Sequence, residues 1–270
     1  MLPVFYINLA RRTDRRVFME RQFAALGIRA ERIEATTPDD LTAEQRAVLP
    51  ASAWGQGPSD MACVLSHRAA WTHMVRRRLP AAVILEDDVV LGRGFAACLA
   101  EDILDRSGYG LIHLEALPRP ILLGSRSRPL AGDIVLRTMI TTLNGAGAYL
   151  ISAAIAAAAA ADAAAPLMEV DRYLFGRGGR WLTEIEVGQA VPAPCLQLEF
   201  IDRAKTGAAA SDLSAGRRER TSNPSPAARR ERNRANLRYS LAVLARRLRD
   251  PATFFSRRVE IGFSGPASTA

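Results

Sequence analysis

Short apolar runs alternate along the chain with longer stretches in which apolar residues recur every three or four positions. Val4-Phe5-Tyr6-Ile7-Asn8-Leu9 is mostly apolar and reads as a buried first strand. A polar turn, Arg11-Arg12-Thr13-Asp14, follows; Val17, Phe18, Phe23 and Leu26 then pattern as a helix that stops at Gly27. Residues 29–35 suit a second strand, and Thr42-Ala43-Glu44-Gln45 is a capping box that opens a short helix. Ser59 or Asp60 is placed to cap a longer helix running to about Arg78, with Pro80 as its stop. Ala81 to Leu85 is a further apolar strand, 95–104 reads as helix and 109–116 as strand. Val135 to Ile140 and Ala146 to Ile151 are two more strands, and Ser152 is placed to cap an alanine helix reaching Ala165. A short helix near 170–175 and a strand near 182–190 close the body. Strands alternating with helices predict an α/β fold, one Rossmann-type domain around a mainly parallel central sheet.

Composition narrows the class. The chain has 270 residues, 49% of them apolar, enough for a sizeable core in one domain plus an appendage. No apolar stretch reaches the ~18 residues of a membrane-spanning helix. The first residues run straight into a strand without a basic region, so no secretory signal is expected. Cys63, Cys98 and Cys195 are far apart and odd in number, which excludes a disulfide framework and a zinc finger. Free thiols fit a reducing compartment, and the expected location is cytoplasmic, with peripheral attachment to the inner face of the membrane.

The net charge of +8 is unevenly placed. Between 217 and 258 thirteen arginines face only Glu219, Glu231 and Asp250, so the rest of the chain is mildly acidic. The expected division is a body over 1–202, a linker over 203–226 rich in Ala, Ser, Gly, Arg and Pro, and a basic helical tail over 227–270. Leu237, Leu241, Leu244 and Leu248 recur as one helical stripe among Arg234, Arg238, Arg246, Arg247 and Arg249. A basic amphipathic helix over 227–258 suits an anionic membrane surface. The same pattern is compatible with leucines packed on the body and solvated arginines. Nucleic acid is not expected, because few aromatics interleave the charge.

The strongest chemical signal is Glu86-Asp87-Asp88 at the end of a strand, the place where open α/β sheets bind ligands. Alternation along a strand puts Glu86 and Asp88 on one face and turns Asp87 away. Two hard oxygen donors on one face suit Mg²⁺ or Mn²⁺ beside a phosphate, whereas a solvated strand end is the plainer alternative. In the first loop, Asn8, Arg11, Arg12 and Arg15 follow the first strand, where arginines can hold a diphosphate or form an ordinary polar helix face. His67 lies inside a helical pattern that equally fits a structural histidine. Gly145 and Gly147 open a strand and would let a ligand approach the backbone closely. Asp171 fits a general base or a helix-start carboxylate.

Taken in order, these pieces resemble glycosyltransferase family 25, the bacterial lipopolysaccharide and lipooligosaccharide galactosyltransferase-like proteins. The resemblance rests on Ile7-Asn8-Leu9 with Arg11, Arg12 and Arg15, on Cys63-Val64-Leu65-Ser66-His67, and on Leu85-Glu86-Asp87-Asp88-Val89. It continues through Gly145-Ala146-Gly147-Ala148-Tyr149-Leu150-Ile151-Ser152 and Val170-Asp171, covering about 3–200. Ala10 stands where the family often has Asp, and Ser59-Asp60-Met61-Ala62 where it usually has Gly-Glu-Ile-Gly. The resemblance implies a GT-A type fold and transfer of a sugar, most often galactose, from a UDP-sugar to a cell-surface glycan or lipopolysaccharide, with inversion. It implies that Asp88 with Glu86 binds Mn²⁺ (or Mg²⁺), and that Glu86 or Asp87 contacts the ribose or sugar. Asn8, Arg11, Arg12, Arg15, His67, Gly145 and Gly147 would order the donor. Asp171, grouped with Asp87 as catalytic, would take the acceptor proton. Another metal-dependent enzyme acting on phosphate esters, or a non-catalytic membrane-surface adaptor, uses the same features.

Overall fold

A computed structural model describes residues 1–201 and 225–266. In chain order the strands are β1 (Val4–Asn8), β2 (Ala30–Glu34), β3 (Ala81–Glu86), β4 (Val89–Leu91), β5 (Leu111–His113), β6 (Glu115–Ala116), β7 (Leu123–Ala131), β8 (Ile134–Met139), β9 (Ala148–Ser152), β10 (Gly188–Val191) and β11 (Cys195–Gln197). The α-helices are α1 (Thr13–Ala25), α2 (Ala43–Val48), α3 (Pro58–Arg76), α4 (Ile103–Ser107), α5 (Ala153–Ala161), α6 (Val170–Phe175), α7 (Trp181–Glu184) and α8 (Pro226–Arg249).

Strand alternation builds two cores, one on each face of the main sheet. Phe5, Ile7, Ala82 and Ile84 point to one side, where α3 supplies Val64, Trp71 and Met74. Val4, Tyr6, Val83 and Leu85 point to the other, where α1 supplies Met19 and Phe23. Because both faces are covered, β1 and β3 are apolar at nearly every position rather than alternating.

The α/β expectation holds, but the sheet is mixed, not mainly parallel. Its order is β2-β1-β3-β9-β5-β10-β8-β7. β1 is parallel to β2 and β3, and β10 to β5. β9 runs antiparallel between β3 and β5, because the chain enters it at the edge where those two strands end. A small second sheet, β4-β11-β6, flanks that edge.

Several elements differ from expectation. α3 starts at Pro58 after Gly57; Asp60 sits at its third position and accepts the Gly57 N–H at 3.0 Å. The stretch 95–104 forms a 3₁₀ turn, Ala96–Leu99, then breaks at extended Ala100 before α4. The expected strand 109–116 divides between the two sheets as β5 and β6. The alanine helix ends at Ala161, and the Ser152 side chain makes no capping bond. The expected strand 182–190 begins as α7 and becomes β10 only at Gly188.

Residues 202–224, most of the expected linker, lie outside the described residues. α8 begins under a Ser225 cap, whose hydroxyl accepts the Ala228 N–H at 3.1 Å. It packs on the body through Ala235, Tyr239 and Arg246, all buried. The segment after it returns to the body through bridges Ile121↔Val259, Ala193↔Phe263 and Gly92↔Pro266.

Candidate active site

A cleft of about 660 Å³ opens at the carboxyl ends of β1 and β3, a volume typical of small-molecule sites. The chain leaves β1 toward β2 on one side and returns to β3 on the other, so the cleft lies where the strand order reverses.

β3 ends at Glu86, and Asp87-Asp88 form a turn into β4. Alternation therefore stops at Glu86, and Asp87 does not turn away as expected: all three carboxylates line the cleft. Asn8, the last residue of β1 and 1% exposed, donates from Nδ2 to Asp87 Oδ2 at 2.7 Å. Arg15, on the first turn of α1, reaches Asp87 Oδ1 at 2.9 Å and Asp88 Oδ2 at 3.2 Å. One cation thus ties together two carboxylates that would otherwise repel. Burial raises the Asp87 carboxyl against the pull of Asn8 and Arg15. Burial, then Glu86, pushes Asp88 up to about 7 despite Arg15. Asp88 Oδ1 is buried and has no hydrogen-bond partner among the described residues.

Glu86 is braced from behind. Trp71 can only donate, and its Nε1–H reaches the Tyr149 hydroxyl at 2.8 Å. Tyr149 lies 2.8 Å from His67 Nδ1, and His67 Nε2 lies 3.2 Å from Glu86 Oε1. The assignment that gives every donor an acceptor has Tyr149 donating to Nδ1 and Nε2–H donating to Glu86. Cys63 Sγ is 3.9 Å from the same carboxylate oxygen. Cys63, His67 and Glu86 have the mutual spacing of a metal site, but burial followed by Glu86 raises the Cys63 thiol well above its ordinary value. With a protonated thiol and an Nε2–H the trio forms a hydrogen-bonded brace behind Glu86. The orphaned Asp88 oxygen, with Glu86 beside it, is the better fit for a hard divalent cation.

The opposite wall is the segment 144–147. Gly145 has φ +104°; its N–H donates to Asp171 Oδ2 at 3.2 Å and its carbonyl accepts from His113 Nε2 at 3.2 Å. Gly147 donates to Glu115 Oε2 at 2.9 Å, and its carbonyl accepts the Glu86 N–H at 2.8 Å. The glycines therefore link the Glu86 strand end to Asp171. Asp171 opens α6, lines the cleft and accepts the Arg172 N–H at 2.6 Å. Its carboxyl is raised by burial, then by Glu169.

The structure brings together Glu86, Asp87, Asp88, Arg11, Arg15, His67, Gly145 and Asp171 as lining residues. Asn8 and Gly147 are buried behind the wall. Arg12 instead makes a two-point pair with Asp14, at 3.0 and 2.9 Å. Neither Glu115 nor His113 was among the residues picked out from the sequence, yet they hold Gly147 and Gly145. A carboxylate in the apolar run Leu111-Ile112-His113-Leu114-Glu115-Ala116 was the available signal. Gln197 and Glu199, brought to the cleft by β11, carried none.

Residues 1–118 match the model of glycosyltransferase family 25 (LPS biosynthesis protein). A "Glycosyltransferase 25 family member" of Drosophila melanogaster is 35% identical over 96 residues, 32% of this chain and 16% of that protein. The "Lacto-N-neotetraose biosynthesis glycosyltransferase LgtE" of Neisseria gonorrhoeae is 29% identical over 120 residues, 41% of this chain and 42% of that protein. LgtB of Neisseria meningitidis serogroup A, similarly described, is 32% identical over 100 residues, 36% of each chain. The chain thus spans less than half the length of these relatives, and the segments 145–152 and 170–171 lie beyond the family match. Over residues 1–118, the segment that carries Asn8, Arg15, His67 and the three carboxylates, the chain is similar to glycosyltransferase family 25.

Proposed function

We propose that this protein is a glycosyltransferase that moves a sugar, galactose in the first instance, from a UDP-sugar to a glycan or lipopolysaccharide acceptor, with inversion, on a GT-A type arrangement. The observation that carries the reading is the buried, partnerless Asp88 Oδ1 beside Glu86 and Arg15, in a cleft whose far wall holds Asp171. Glu86 and Asp88 would hold Mn²⁺ or Mg²⁺, which when bound neutralises charge on a diphosphate leaving group.

The other steps belong to side chains. Arg15 keeps Asp87 and Asp88 oriented, and Arg11, exposed at the rim, is placed to meet the diphosphate. The glycine segment allows the donor to approach the backbone closely. In the transfer an acceptor hydroxyl oxygen bonds to the anomeric carbon as the bond to the diphosphate breaks. Asp171 takes the hydroxyl proton, a role its burial-raised carboxyl suits.

Calorimetric titration with UDP-galactose, UDP-glucose and UDP-N-acetylglucosamine, with and without Mn²⁺, tests the reading. The expected result is Mn²⁺-dependent binding of one UDP-sugar, lowered on the order of a hundredfold in Asp88→Asn. Failure to bind any UDP-sugar, or release of phosphate from simple esters without sugar, would sink it.

A further inference from the structure

Helix α8 has two unlike faces. The inward face is fixed to the body: the Tyr239 hydroxyl accepts the Thr142 N–H at 3.1 Å, Arg246 donates to the Ile185 carbonyl at 2.8 Å, and Arg232 to the Ala53 carbonyl at 2.6 Å. The Arg177 guanidinium lies 5.0 Å over the Tyr239 ring. These contacts set the rotation of the helix. At ~100° per residue, Leu237, Leu241, Leu244 and Leu248 then face the opposite way.

Those four leucines are 61%, 57%, 48% and 64% exposed, and Phe255 just beyond the helix is 93% exposed. Among the described residues nothing covers them. Single exposed apolar residues are ordinary, but an aligned stripe on the outer face of an otherwise docked helix marks a contact surface. The alternative in which the leucines pack on the body does not hold: Ala235, Tyr239 and Arg246 do that instead.

Charge selects the occupant. Arg230 and Arg234 extend the stripe by whole helical turns, Arg249 flanks it, and Arg257 and Arg258 follow; all are exposed. Glu231, which flanks the stripe on the same side as Arg249, is paired with Arg238 at 3.2 Å. A second copy of the helix would set arginines against arginines. A nucleic acid would take the arginines and leave the leucines in water. A lipid surface with anionic headgroups accepts both, with leucines in the acyl boundary and arginines at the headgroups.

We propose that the outward face of α8, with Phe255, docks in the plane of an anionic lipid surface. The proposal does not rest on the chemistry of the cleft. Flotation of the full chain with phosphatidylcholine vesicles, with and without phosphatidylglycerol and at low and high salt, tests it. Binding is expected only with phosphatidylglycerol, weakened by salt, and about fivefold weaker for each of Arg230→Gln and Arg234→Gln. Leu241→Asp/Leu244→Asp is expected to lower it on the order of tenfold or more. Leu241→Gln/Leu244→Gln serves the same purpose if the aspartates disturb folding, as judged by circular dichroism. No flotation of the full chain, or undiminished flotation of a folded leucine variant, would overturn the proposal. So would self-association in ultracentrifugation that the leucine variants abolish, or tighter binding to duplex DNA than to the vesicles.

Discussion

His113 shows how one buried side chain ties the cleft to the stability of the whole fold. It is fully buried, donates to the Gly145 carbonyl at 3.2 Å, and burial lowers its pKa from 6.5 to about 4. Between those values the unfolded chain binds a proton that the folded chain does not, so stability falls as pH drops from about 6.5 and levels off below about 4. The shift corresponds to roughly 3 kcal/mol at most. Asp88, pushed up to about 7, contributes the opposite slope, so the His113 part is read as a difference: in urea unfolding between pH 7 and 4, His113→Gln is expected to lose less stability, or gain more, on acidification than the unsubstituted protein, and an equal pH dependence in both would contradict the assignment. The carboxylates were legible from their position after an apolar strand. Their pairing was not, because Arg15 is brought to Asp87 and Asp88 by the parallel register of β1 on β3, which no local spacing records.

At the scale of elements, the apolar strands β1, β3, β8 and β9 and the helices α1 and α3 were readable, because each buries a periodic face. β7 was not: its sequence Leu-Gly-Ser-Arg-Ser-Arg-Pro-Leu-Ala is exposed through its middle, as suits a strand at the sheet edge. β4, β6 and β11 are too short to show a period, yet they bring Glu115 and Gln197 to the glycine segment. That segment separates two superficially similar glycines. Gly145 needs φ +104°, and a Cβ there would lie 3.0 Å from Glu115 Oε2. Gly147 has no such backbone demand, and its added Cβ would meet the amide end of the Gln197 side chain at 2.9 Å and Glu115 Oε2 at 3.1 Å. Gly145→Ala is expected to cost roughly 1–3 kcal/mol in urea unfolding and to weaken UDP-sugar titration. Gly147→Ala is expected to cost less on both measures; the reverse order would show that the backbone conformation is not what the segment requires.

For the molecule as a whole, the charge count separates a mildly acidic stretch from a basic C-terminal segment, but it does not show that the segment is laced to the body. Tyr239 holds Thr142, two residues from Asn144 in the cleft wall. No described helix is long and apolar enough to cross a membrane. A chain ending at Ile201 loses the buried contacts of Ala235, Tyr239 and Ile261. It is expected to unfold at a lower midpoint, by an amount on the order of several kcal/mol, and to bind a UDP-sugar more weakly. An unchanged midpoint in thermal unfolding would mean that the docking of α8 contributes nothing to the fold.

The three bridges after α8 also bear on how the chain matures. Gly92 finds its partner at Pro266 and Ile121 at Val259, pairings of high sequence separation that close slowly. The strands around the cleft emerge from the ribosome early, but the bridges at Gly92 and Ile121 have no partner until the arginine helix and the residues beyond it have been made. These bridges therefore close only after residue 266 has been synthesised, and the helix that carries the leucine stripe is joined to the body from both of its ends only in that same late step.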